Sequence, residues 1–192
     1  KKFINGPVFD EKVSLKGKIA VVTGANTGLG KETALKLASL GAKTILVCKS
    51  QDKANTAKEE IIAKTGNTEV DYVQLDLADL KSVKKGADAL SKKVNRIDIL
   101  VNNAGVMAIP TRQTTKDGFE AQIGTNHLGH FALTGLLLKL LTKDDGSGSL
   151  KRIVNLASEA HLFGNIQKDD LMLEKPGAYK AWNAYGNSKI AN

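Results

Sequence analysis

The feature that most constrains the fold is an alternation, from Lys18 onward, of short β-branched runs with longer segments of helical period. Because neighbouring parallel strands need crossover connections, this alternation predicts an α/β fold in which helices join the strands of a parallel sheet. Five strands are predicted, over residues 19–23, 44–48, 70–75, 97–101 and 153–156.

The segments between the strands carry signals of helices and loops. After the third strand, with Asp79 as the predicted N-cap, one apolar face recurs at steps of three and four residues. That face is formed by Leu80, Val83, Ala87, Leu90 and Val94. Residues 117–141 are predicted to form one long helix, and residues 143–149 the loop that returns to the fifth strand. Gly41 and Gly66 each follow a helical segment and fit the left-handed residue that ends a helix.

The length and composition of the chain predict one domain with an apolar core, since 192 residues are 42% hydrophobic. Residues 1–17 show no clear period and are predicted to be an irregular lead-in to a domain over residues 18–192. The first residue is Lys1 rather than Met, and the chain ends at Asn192 within a helix-like run that lacks a stop signal. We therefore expect a fragment whose natural chain continues for about another hundred residues.

Composition and charge argue against several classes of protein. No run approaches the ~18 apolar residues that a membrane helix needs, and the single cysteine, Cys48, fits a reducing intracellular compartment. The cytoplasm is the default, and a plastid or the ER surface stays open if a targeting segment was removed. The net charge of +8 is spread along the chain without a nucleic-acid motif, so no specific nucleic-acid binding is expected. The basic N-terminal segment leaves peripheral contact with acidic lipid open.

A glycine cluster directly follows the first predicted strand and precedes a helix, in the run Gly24-Ala25-Asn26-Thr27-Gly28-Leu29-Gly30. Glycines let the backbone turn sharply and approach a pyrophosphate, which the N–H groups and dipole of a helix start attract. A P-loop is excluded because Ala25 and Glu32 stand where it needs Gly and Ser or Thr, and Thr33 excludes a G-x-G-x-x-G turn. A tight turn without a ligand is the alternative.

The end of the second predicted strand bears on the choice of nicotinamide cofactor. An acidic side chain there would bond the adenosine ribose hydroxyls and select NAD(H), but the sequence has Cys48, Lys49 and Ser50. With no carboxylate to repel a 2′-phosphate and an ammonium to pair with it, Lys49 favours NADP(H) over NAD(H). The alternative is that Lys49 is an ordinary surface lysine.

Tyr185 and Lys189 are four residues apart, so on a helix they share one face. A phenol with its usual pKa of about 10 is a poor proton shuttle at neutral pH, but a neighbouring ammonium and an oxidised nicotinamide lower that pKa. We therefore expect Tyr185 to act as the acid in a reduction and as the base in an oxidation. The Tyr-x-x-x-Lys pattern is weak by itself and depends on the other motifs.

Together these motifs resemble the short-chain dehydrogenase/reductase family over nearly the whole chain. The family's Gly-x-x-x-Gly-x-Gly spacing begins at Gly24, and its Asn-Asn-Ala-Gly motif matches Asn102-Asn103-Ala104-Gly105. The run Asn126-His-Leu-Gly-His-Phe131 and the long insert between Ser158 and Tyr185 look most like retinol dehydrogenases and protochlorophyllide-reductase-like members. The resemblance implies a Rossmann-type doubly wound parallel sheet in three α/β/α layers, with the C-terminal part missing.

The resemblance also implies roles for single residues. Asp76, followed by Leu77, is similar to the family's aspartate that holds the adenine amino group, and Asn126 to the asparagine that anchors a water of the proton relay. Ser158 is similar to the serine that hydrogen-bonds the substrate oxygen. The implied catalytic residues are Asn126, Ser158, Tyr185 and Lys189. The implied cofactor-binding residues are Gly24, Asn26, Thr27, Gly28, Leu29, Gly30, Lys49, Asp76, Leu77, Asn103, Ala104, Gly105, Tyr185 and Lys189.

The sequence departs from the family pattern at two places, and it also bears on two other kinds of chemistry, those of a hydrolase and of a metal site. Ala157 replaces a serine frequent before the catalytic one, and Lys49-Ser50 replaces a frequent Arg-Asp pair, which makes the cofactor choice less certain. A hydrolase with Ser158 as nucleophile is not favoured, because the Gly-x-Ser-x-Gly elbow is absent. No metal is expected, although three histidines were considered as ligands, namely His127, His130 and His161.

The function that the resemblance implies is an NADP(H)-dependent oxidoreductase, which moves a hydride between nicotinamide and a carbonyl or alcohol carbon. Apolar residues close to the motifs predict a lipophilic substrate. They are Val106, Met107, Leu162, Phe163, Tyr179 and Trp182. A homo-oligomer is expected for the full-length protein. The alternative is a catalytically idle subunit that uses the same fold as an interaction surface in a larger assembly.

Overall fold

A five-stranded parallel sheet forms the centre of the molecule, in a computed structural model that describes residues 13–144, 146 and 148–192. The strand order is β3-β2-β1-β4-β5, so β1 lies in the middle and β3 and β5 are the edges. In register, Val21 of β1 lies between Ile45 of β2 and Leu100 of β4. The strands are β1 (Ile19–Thr23), β2 (Lys43–Cys48), β3 (Val70–Gln74), β4 (Ile99–Asn102) and β5 (Arg152–Asn155).

Helices cover both faces of the sheet. They are α1 (Gly28–Ser39), α2 (Gln51–Thr65), α3 (Leu80–Lys93), α4 (Ala121–Ile123), α5 (Gly129–Leu141) and α6 (Ala181–Ile190). Successive residues of a strand point to opposite faces. Val21 accordingly packs in one apolar layer with Leu90 of α3 and Leu133 of α5, and Val22 in a second layer with Ile61 of α2. The doubly wound, three-layer Rossmann-type fold is therefore confirmed.

The five predicted strands are confirmed, with bounds that differ by one or two residues. The largest shift is at β4, which begins at Ile99 instead of residue 97. The Ile97 N–H donates to the carbonyl of Leu140 at the end of α5, so Ile97 belongs to the junction with that helix and is not yet paired with β1. Asp98 then begins the approach to the sheet, with its N–H donating to the Ile19 carbonyl.

The long helix predicted over residues 117–141 is wrong at its start. Gly118 has φ +86°, and Glu120 pairs with Thr114 in an antiparallel bridge, so residues 114–120 form a turn. The helix begins after Glu120, whose carboxylate accepts the N–H groups of Gln122 and Ile123. It runs as α4, a π-helical turn (Gly124–Leu128) and α5.

The predicted helix ends are confirmed. Asp79 caps α3 by accepting the Ser82 N–H at 3.1 Å, and Gly66 ends α2 in the left-handed region with φ 69°. Gly41 follows α1 with φ +91°. These three features need only local sequence, which explains why the pattern was sufficient.

The remaining segments are the lead-in and the loop before β5. Residues 13–17 contain neither helix nor strand, and residues 1–12 of the predicted lead-in lie outside the described residues. Residues 145 and 147 of the predicted loop 143–149 also lie outside them. Within the part of the chain that the structure describes, no helix combines the length and the apolar character that a membrane span requires.

Candidate active site

The glycine turn joins β1 to α1 at the carboxyl edge of the sheet, where ligands of doubly wound folds bind. Gly24 and Gly28 have φ +65° and +54°, a region that side chains rarely tolerate. A Cβ at Gly30 would overlap the side-chain nitrogen of Asn103 and the carbonyl oxygen of Gly24. Each of the three predicted glycines is thus required by the backbone geometry of the turn.

The first turn of α1 is left open to a ligand. Thr27 is its N-cap, and no side-chain hydrogen bond to the helix start is made by this residue in the described structure. The first intrahelical bond runs from the Lys31 N–H to the Thr27 carbonyl at 3.2 Å, so the N–H groups of Gly28, Leu29 and Gly30 precede it. With no acidic residue in this turn either, the helix start is suited to an anion.

A cleft of about 450 Å³ opens beside this turn. Its lining contains eleven of the fourteen predicted cofactor residues, namely Gly24, Asn26, Thr27, Leu29, Gly30, Lys49, Asp76, Leu77, Asn103, Ala104 and Gly105. The other three, Gly28, Tyr185 and Lys189, are described but do not belong to the lining. The lining also contains seven residues outside the predicted cofactor-binding set, namely Thr23, Val47, Cys48, Leu75, Ala78, Val106 and Thr125.

Lys49 and Asp76 meet at one side of this cleft. The Lys49 ammonium lies 2.9 Å from Asp76 Oδ2, and its side chain remains 76% exposed. Asp76 Oδ1 also accepts the Ala78 N–H, which fixes the carboxylate after the end of β3. The two predicted cofactor ligands therefore pair with each other, an arrangement that the sequence did not predict.

Cys48, the last residue of β2, also lines the cleft and is 2% exposed. Burial raises the pKa of this thiol to about 11, against smaller lowering contributions from the backbone N–H groups of Ala25 and Asn26. A thiol that stays protonated is a weak nucleophile, so Cys48 contributes an apolar wall to the cleft.

The loop after β4 is bonded directly to the end of β1. Thr23 Oγ1 accepts the N–H groups of Asn103 and Ala104 at 2.9 and 3.0 Å. Asn103 Nδ2 donates back to the Thr23 carbonyl at 2.8 Å. These bonds hold the Asn-Asn-Ala-Gly segment against the glycine turn, where a Cβ at Gly24 would meet the Ala104 backbone.

Asn126 lies in the π-helical turn and bridges the loop after β4 to α6. Its Oδ1 accepts the Val106 N–H at 2.8 Å, and its Nδ2 donates to the Val106 carbonyl and to Ser188 Oγ, both at 2.9 Å. Ser188 in turn donates to the Tyr185 carbonyl at 2.7 Å. The side chain of Asn126 is thus tied to the residue that precedes Lys189 and, through it, to the backbone of Tyr185.

Tyr185 and Lys189 lie on one face of α6, as predicted. The Lys189 ammonium is 5.8 Å from the centroid of the Tyr185 ring and donates to the Leu156 carbonyl, after the end of β5, at 2.7 Å. Lys189 is 8% exposed, and this burial lowers its pKa. The carbonyl bond and the burial fix the position of the cation next to the phenol ring.

Ser158 follows β5 and caps a 3₁₀ turn (Glu159–Phe163), accepting the Ala160 N–H at 3.2 Å. This turn packs on the backbone of α6, since a Cβ at Gly186 would overlap the Ala160 carbonyl and the Gly164 N–H. Asn187 also accepts the Asn165 N–H through Oδ1, at 2.6 Å. The structure therefore brings the Ser158 segment onto the helix that carries Tyr185.

The three histidines have other partners than a metal. His127 stacks on Phe131 with ring centroids 6.1 Å apart, and His161 Nδ1 lies 2.6 Å from the Ser158 carbonyl. Both ring nitrogens of His130 are engaged, one with Thr23 and one with the backbone of Asn126. Across residues 13–144, 146 and 148–192 there is no group of three or more side chains suited to hold a metal ion.

The apolar residues proposed as substrate wall divide into two groups. Met107, Leu162, Phe163 and Trp182 are 61%, 73%, 69% and 57% exposed, which leaves large apolar surfaces uncovered. Tyr179 is different, because its hydroxyl donates to the Ile109 carbonyl at 2.6 Å and accepts from Gln122. The Tyr179 phenol therefore stabilises the loop after β4 through hydrogen bonds.

Four residues hold the site together in roles that the sequence did not predict. They are Thr23, His130, Gly186 and Ser188. Each lies inside or next to a motif that the sequence analysis had already recognised. Their position in or beside these motifs was the one indication that the sequence offered. Their roles depend on contacts with residues that are distant in the sequence.

Comparisons with known proteins agree on a family. The family model described as short chain dehydrogenase matches residues 18–169. Retinol dehydrogenase 12 of Mus musculus is 46% identical over 192 residues, covering 100% of this chain and 58% of its own length. Retinol dehydrogenase 13 of Homo sapiens is 46% identical over 191 residues, covering 100% of this chain and 56% of its own length. The chain thus spans less than two thirds of these curated relatives.

Solved structures share the fold. An uncharacterized protein from Mycobacterium Paratuberculosis has a TM-score of 0.79 and 43% identity, covering 93% of this chain and 59% of that chain. A short chain dehydrogenase from Escherichia coli CFT073, complexed with NADPH, has a TM-score of 0.72 and 26% identity, with coverage of 94% and 69%. The Pseudomonas aeruginosa RhlG/NADP active-site complex has a TM-score of 0.72 and 27% identity, with coverage of 95% and 64%.

Proposed function

Because the chain belongs to the short-chain dehydrogenase family, we propose that it is the cofactor-binding and catalytic part of an NADP(H)-dependent oxidoreductase acting on a lipophilic carbonyl or alcohol. The observation that carries the proposal is the cleft of about 450 Å³ between the glycine turn, the Lys49–Asp76 pair and the loop after β4. The four predicted catalytic residues lie on the elements that follow this loop and β5.

The residues of the cleft fit a dinucleotide. The open N–H groups at the start of α1 would hold the pyrophosphate, and Gly24 and Gly30 allow the close backbone approach that this needs. Asp76 would bond the adenine, while Asn103, Ala104 and Gly105 would line the nicotinamide side. The proposed domain comprises residues 18–192.

When bound, NADP(H) supplies or accepts the hydride. In a reduction, Tyr185 would give its proton to the substrate oxygen, and Ser158 would hold that oxygen in place by a hydrogen bond. The Lys189 ammonium, fixed near the phenol ring by the Leu156 carbonyl, would favour the phenolate form of Tyr185. Asn126 would hold the water through which the proton is replaced.

The preference for NADP(H) rests on Lys49. This ammonium pairs with the Asp76 carboxylate at 2.9 Å, and a 2′-phosphate would compete with that carboxylate for it. Solved structures of 26–27% identity to this chain are complexes with NADPH or NADP. We expect the full-length protein to bind NADPH more tightly than NADH in fluorescence titrations.

A matched pair of lysine variants tests that preference. Lys49→Gln should weaken NADPH binding about tenfold, or about 1.4 kcal/mol, and leave NADH binding unchanged. Lys64→Gln, an exposed lysine at the far end of α2, should leave both affinities as they are. Equal affinities for NADPH and NADH in the unmodified protein would contradict the cofactor assignment.

The proposed substrate class follows from the relatives and from the exposed apolar side chains. The curated relatives are named retinol dehydrogenases, and retinoids are lipophilic aldehydes and alcohols. Met107, Leu162, Phe163 and Trp182 offer an apolar surface that suits such a molecule. We expect NADPH oxidation, followed by absorbance, with lipophilic aldehydes and not with small polar ones.

Replacing the proposed proton donor tests the chemistry itself. Tyr185→Phe should lower kcat by about 10² to 10⁴-fold while NADPH still binds, because it removes the proton donor and leaves the cleft intact. Tyr72→Phe makes the same change on the edge strand β3 and should keep full turnover. Full turnover by Tyr185→Phe would overturn the assignment of the proton donor.

A further inference from the structure

His130 occupies a central position between the two halves of the proposed site. It lies in α5, two residues after the π-helical turn ends, and is 5% exposed. Its Nε2 is 2.8 Å from Thr23 Oγ1, at the end of β1, and its Nδ1 is 2.7 Å from the Asn126 carbonyl oxygen. One buried ring thus joins the strand before the glycine turn to the helix turn that carries Asn126.

The hydrogen bonds of Thr23 determine which ring nitrogen carries the proton. A threonine hydroxyl has one hydrogen to donate and two lone pairs to accept with. The N–H groups of Asn103 and Ala104 take both lone pairs, so the hydroxyl must act as the donor elsewhere. Its acceptors are the Val101 carbonyl at 3.4 Å and His130 Nε2 at 2.8 Å, and the shorter bond is the one to the histidine.

It follows that Nε2 accepts and that Nδ1 carries the hydrogen. Nδ1–H then donates to the Asn126 carbonyl, which completes a chain of hydrogen bonds with a single direction. Burial lowers the pKa of His130 to about 4, and the positive charges of Lys189 and His127 act in the same sense. A charged imidazole would also direct a second donor at a Thr23 oxygen whose lone pairs are already used.

We propose that neutral His130 is a positioning residue, which holds the Asn103–Ala104 backbone beside the cofactor cleft and the proton-relay residue Asn126 in one fixed arrangement. The proposal rests on the proposed oxidoreductase function. At one end, Thr23 connects the ring to the two N–H groups that keep the loop after β4 in place. At the other end, Asn126 connects it to Ser188 and hence to the helix of Tyr185 and Lys189.

Three variants in the full-length protein separate the two ends of the chain. His130→Phe keeps a ring and removes both hydrogen bonds, so kcat/KM for a lipophilic aldehyde should fall about 10²-fold, as expected for misplaced catalytic groups. His130→Asn retains a donor at the Nδ1 position, and should keep most of kcat while NADPH binding weakens. His130→Gln places its amide at the Nε2 position, and should keep NADPH affinity while kcat falls. A merely structural role would not produce this opposite pattern.

Thr23 provides the matching control and a test of coupling. Thr23→Ser keeps the hydroxyl and Thr23→Val removes it, so the loss of NADPH affinity and of kcat should be much larger in Thr23→Val than in Thr23→Ser. If the two residues act through one chain, the effects of Thr23→Val and His130→Phe on kcat/KM should be clearly less than multiplicative in the double variant.

The protonation state is measured directly, without turnover, by ¹⁵N NMR of the imidazole rings in the cofactor-free protein. We expect the Nδ1–H tautomer of His130 at pH 7, with no protonation of Nε2 down to about pH 5. The Nε2–H tautomer, a charged ring at pH 7, or His130→Phe with unchanged Kd for NADPH and unchanged kcat would overturn the proposal. If the unmodified protein failed to bind NADPH, the proposed function and the positioning role would both fall, while the NMR signals would still decide whether the hydrogen-bond chain exists.

Discussion

Two helices, α1 and α3, start at the same edge of the sheet, and their first turns are built in opposite ways. At α3, Asp79 accepts the Ser82 N–H and the Lys116 ammonium, and Asp117 accepts the Leu80 N–H at 2.8 Å. At α1, Thr27 provides no side-chain cap within the described structure, and glycines surround it. Side chains of the chain itself satisfy the start of α3, whereas the start of α1 has no side-chain cap.

This difference shows how a backbone anion site can be recognised. Uncapped N–H groups and glycines both reduce helix stability, so a fold retains them where a ligand compensates for the loss. The α3 start lies beside a neighbouring pocket that shares Lys49 and Asp76 with the cleft, yet its Leu80 and Ser82 N–H groups are already paired. Proximity to the cleft is therefore less informative than the state of the N–H groups.

The largest effect is expected from Gly30→Ala, which changes the backbone at the start of α1. The new Cβ would overlap Asn103 Nδ2 and the Gly24 carbonyl, so the phosphate-binding backbone must shift. We expect the Kd for NADPH to rise about 1,000-fold, which corresponds to about 4 kcal/mol. Isothermal titration calorimetry with the full-length protein measures this change.

The control for Gly30→Ala is Gly66→Ala at the end of α2. Gly66 has a positive φ of 69°, and no described atom outside its neighbours lies within 4 Å of its Cβ position. This variant should lose about 1 kcal/mol of stability and bind NADPH as before. If Gly30→Ala retained its affinity for NADPH, the α1 start could not be the phosphate site.

The second effect concerns pH, because the two regions depend on different titrating groups. In the folded protein, burial lowers the pKa of His130, which is hydrogen-bonded to Thr23, from 6.5 to about 4. As the pH falls, His130 is therefore protonated in the unfolded chain before it is protonated in the folded protein. Its contribution to the free energy of unfolding is fully present above about pH 6.5 and is lost as the pH falls toward 4. The loss amounts to at most about 3 kcal/mol, measured as the free energy of unfolding in urea at pH 7 and pH 4.5.

His130→Phe should flatten this dependence between pH 7 and pH 4.5. At α3, the hydrogen bond and charge of Lys116 lower the pKa of Asp79 below its usual range, so the stability that it contributes is lost only at more acidic pH. An unchanged slope in His130→Phe would show that the buried ring is not the titrating group.

The sequence was sufficient for features that depend on short stretches of chain. The five strands, the Asp79 cap and the glycines at positions 24, 28 and 30 all follow from periodicity, capping and allowed φ values within a few residues. The placement of Tyr185 and Lys189 on one helix face follows from their spacing in the same way.

Features that depend on distant partners could not be predicted. The helix after the loop starts at Ala121 because Glu120 pairs with Thr114, and no helical period reveals that bridge. Gly186 is required by the backbone of Gly164, which approaches α6 from a separate segment. The same is true of the ion pair between Lys49 and Asp76, whose two residues end different strands.

The smallest effect is expected from Asp79→Ala, which removes the N-cap of α3. It removes the acceptor for the Ser82 N–H and the partner of Lys116, so α3 loses the cap that α1 never had. By analogy with other N-cap losses, Tm should fall by roughly 2–4 °C in differential scanning calorimetry. Because the proposed phosphate site lies at α1, the Kd for NADPH should stay within about twofold of the original value. Asp79→Asn retains a capping oxygen and should recover most of the loss in Tm. A large loss of NADPH affinity in Asp79→Ala would mean that both helix starts bind the cofactor, and that capping alone does not distinguish an anion site from an ordinary helix start.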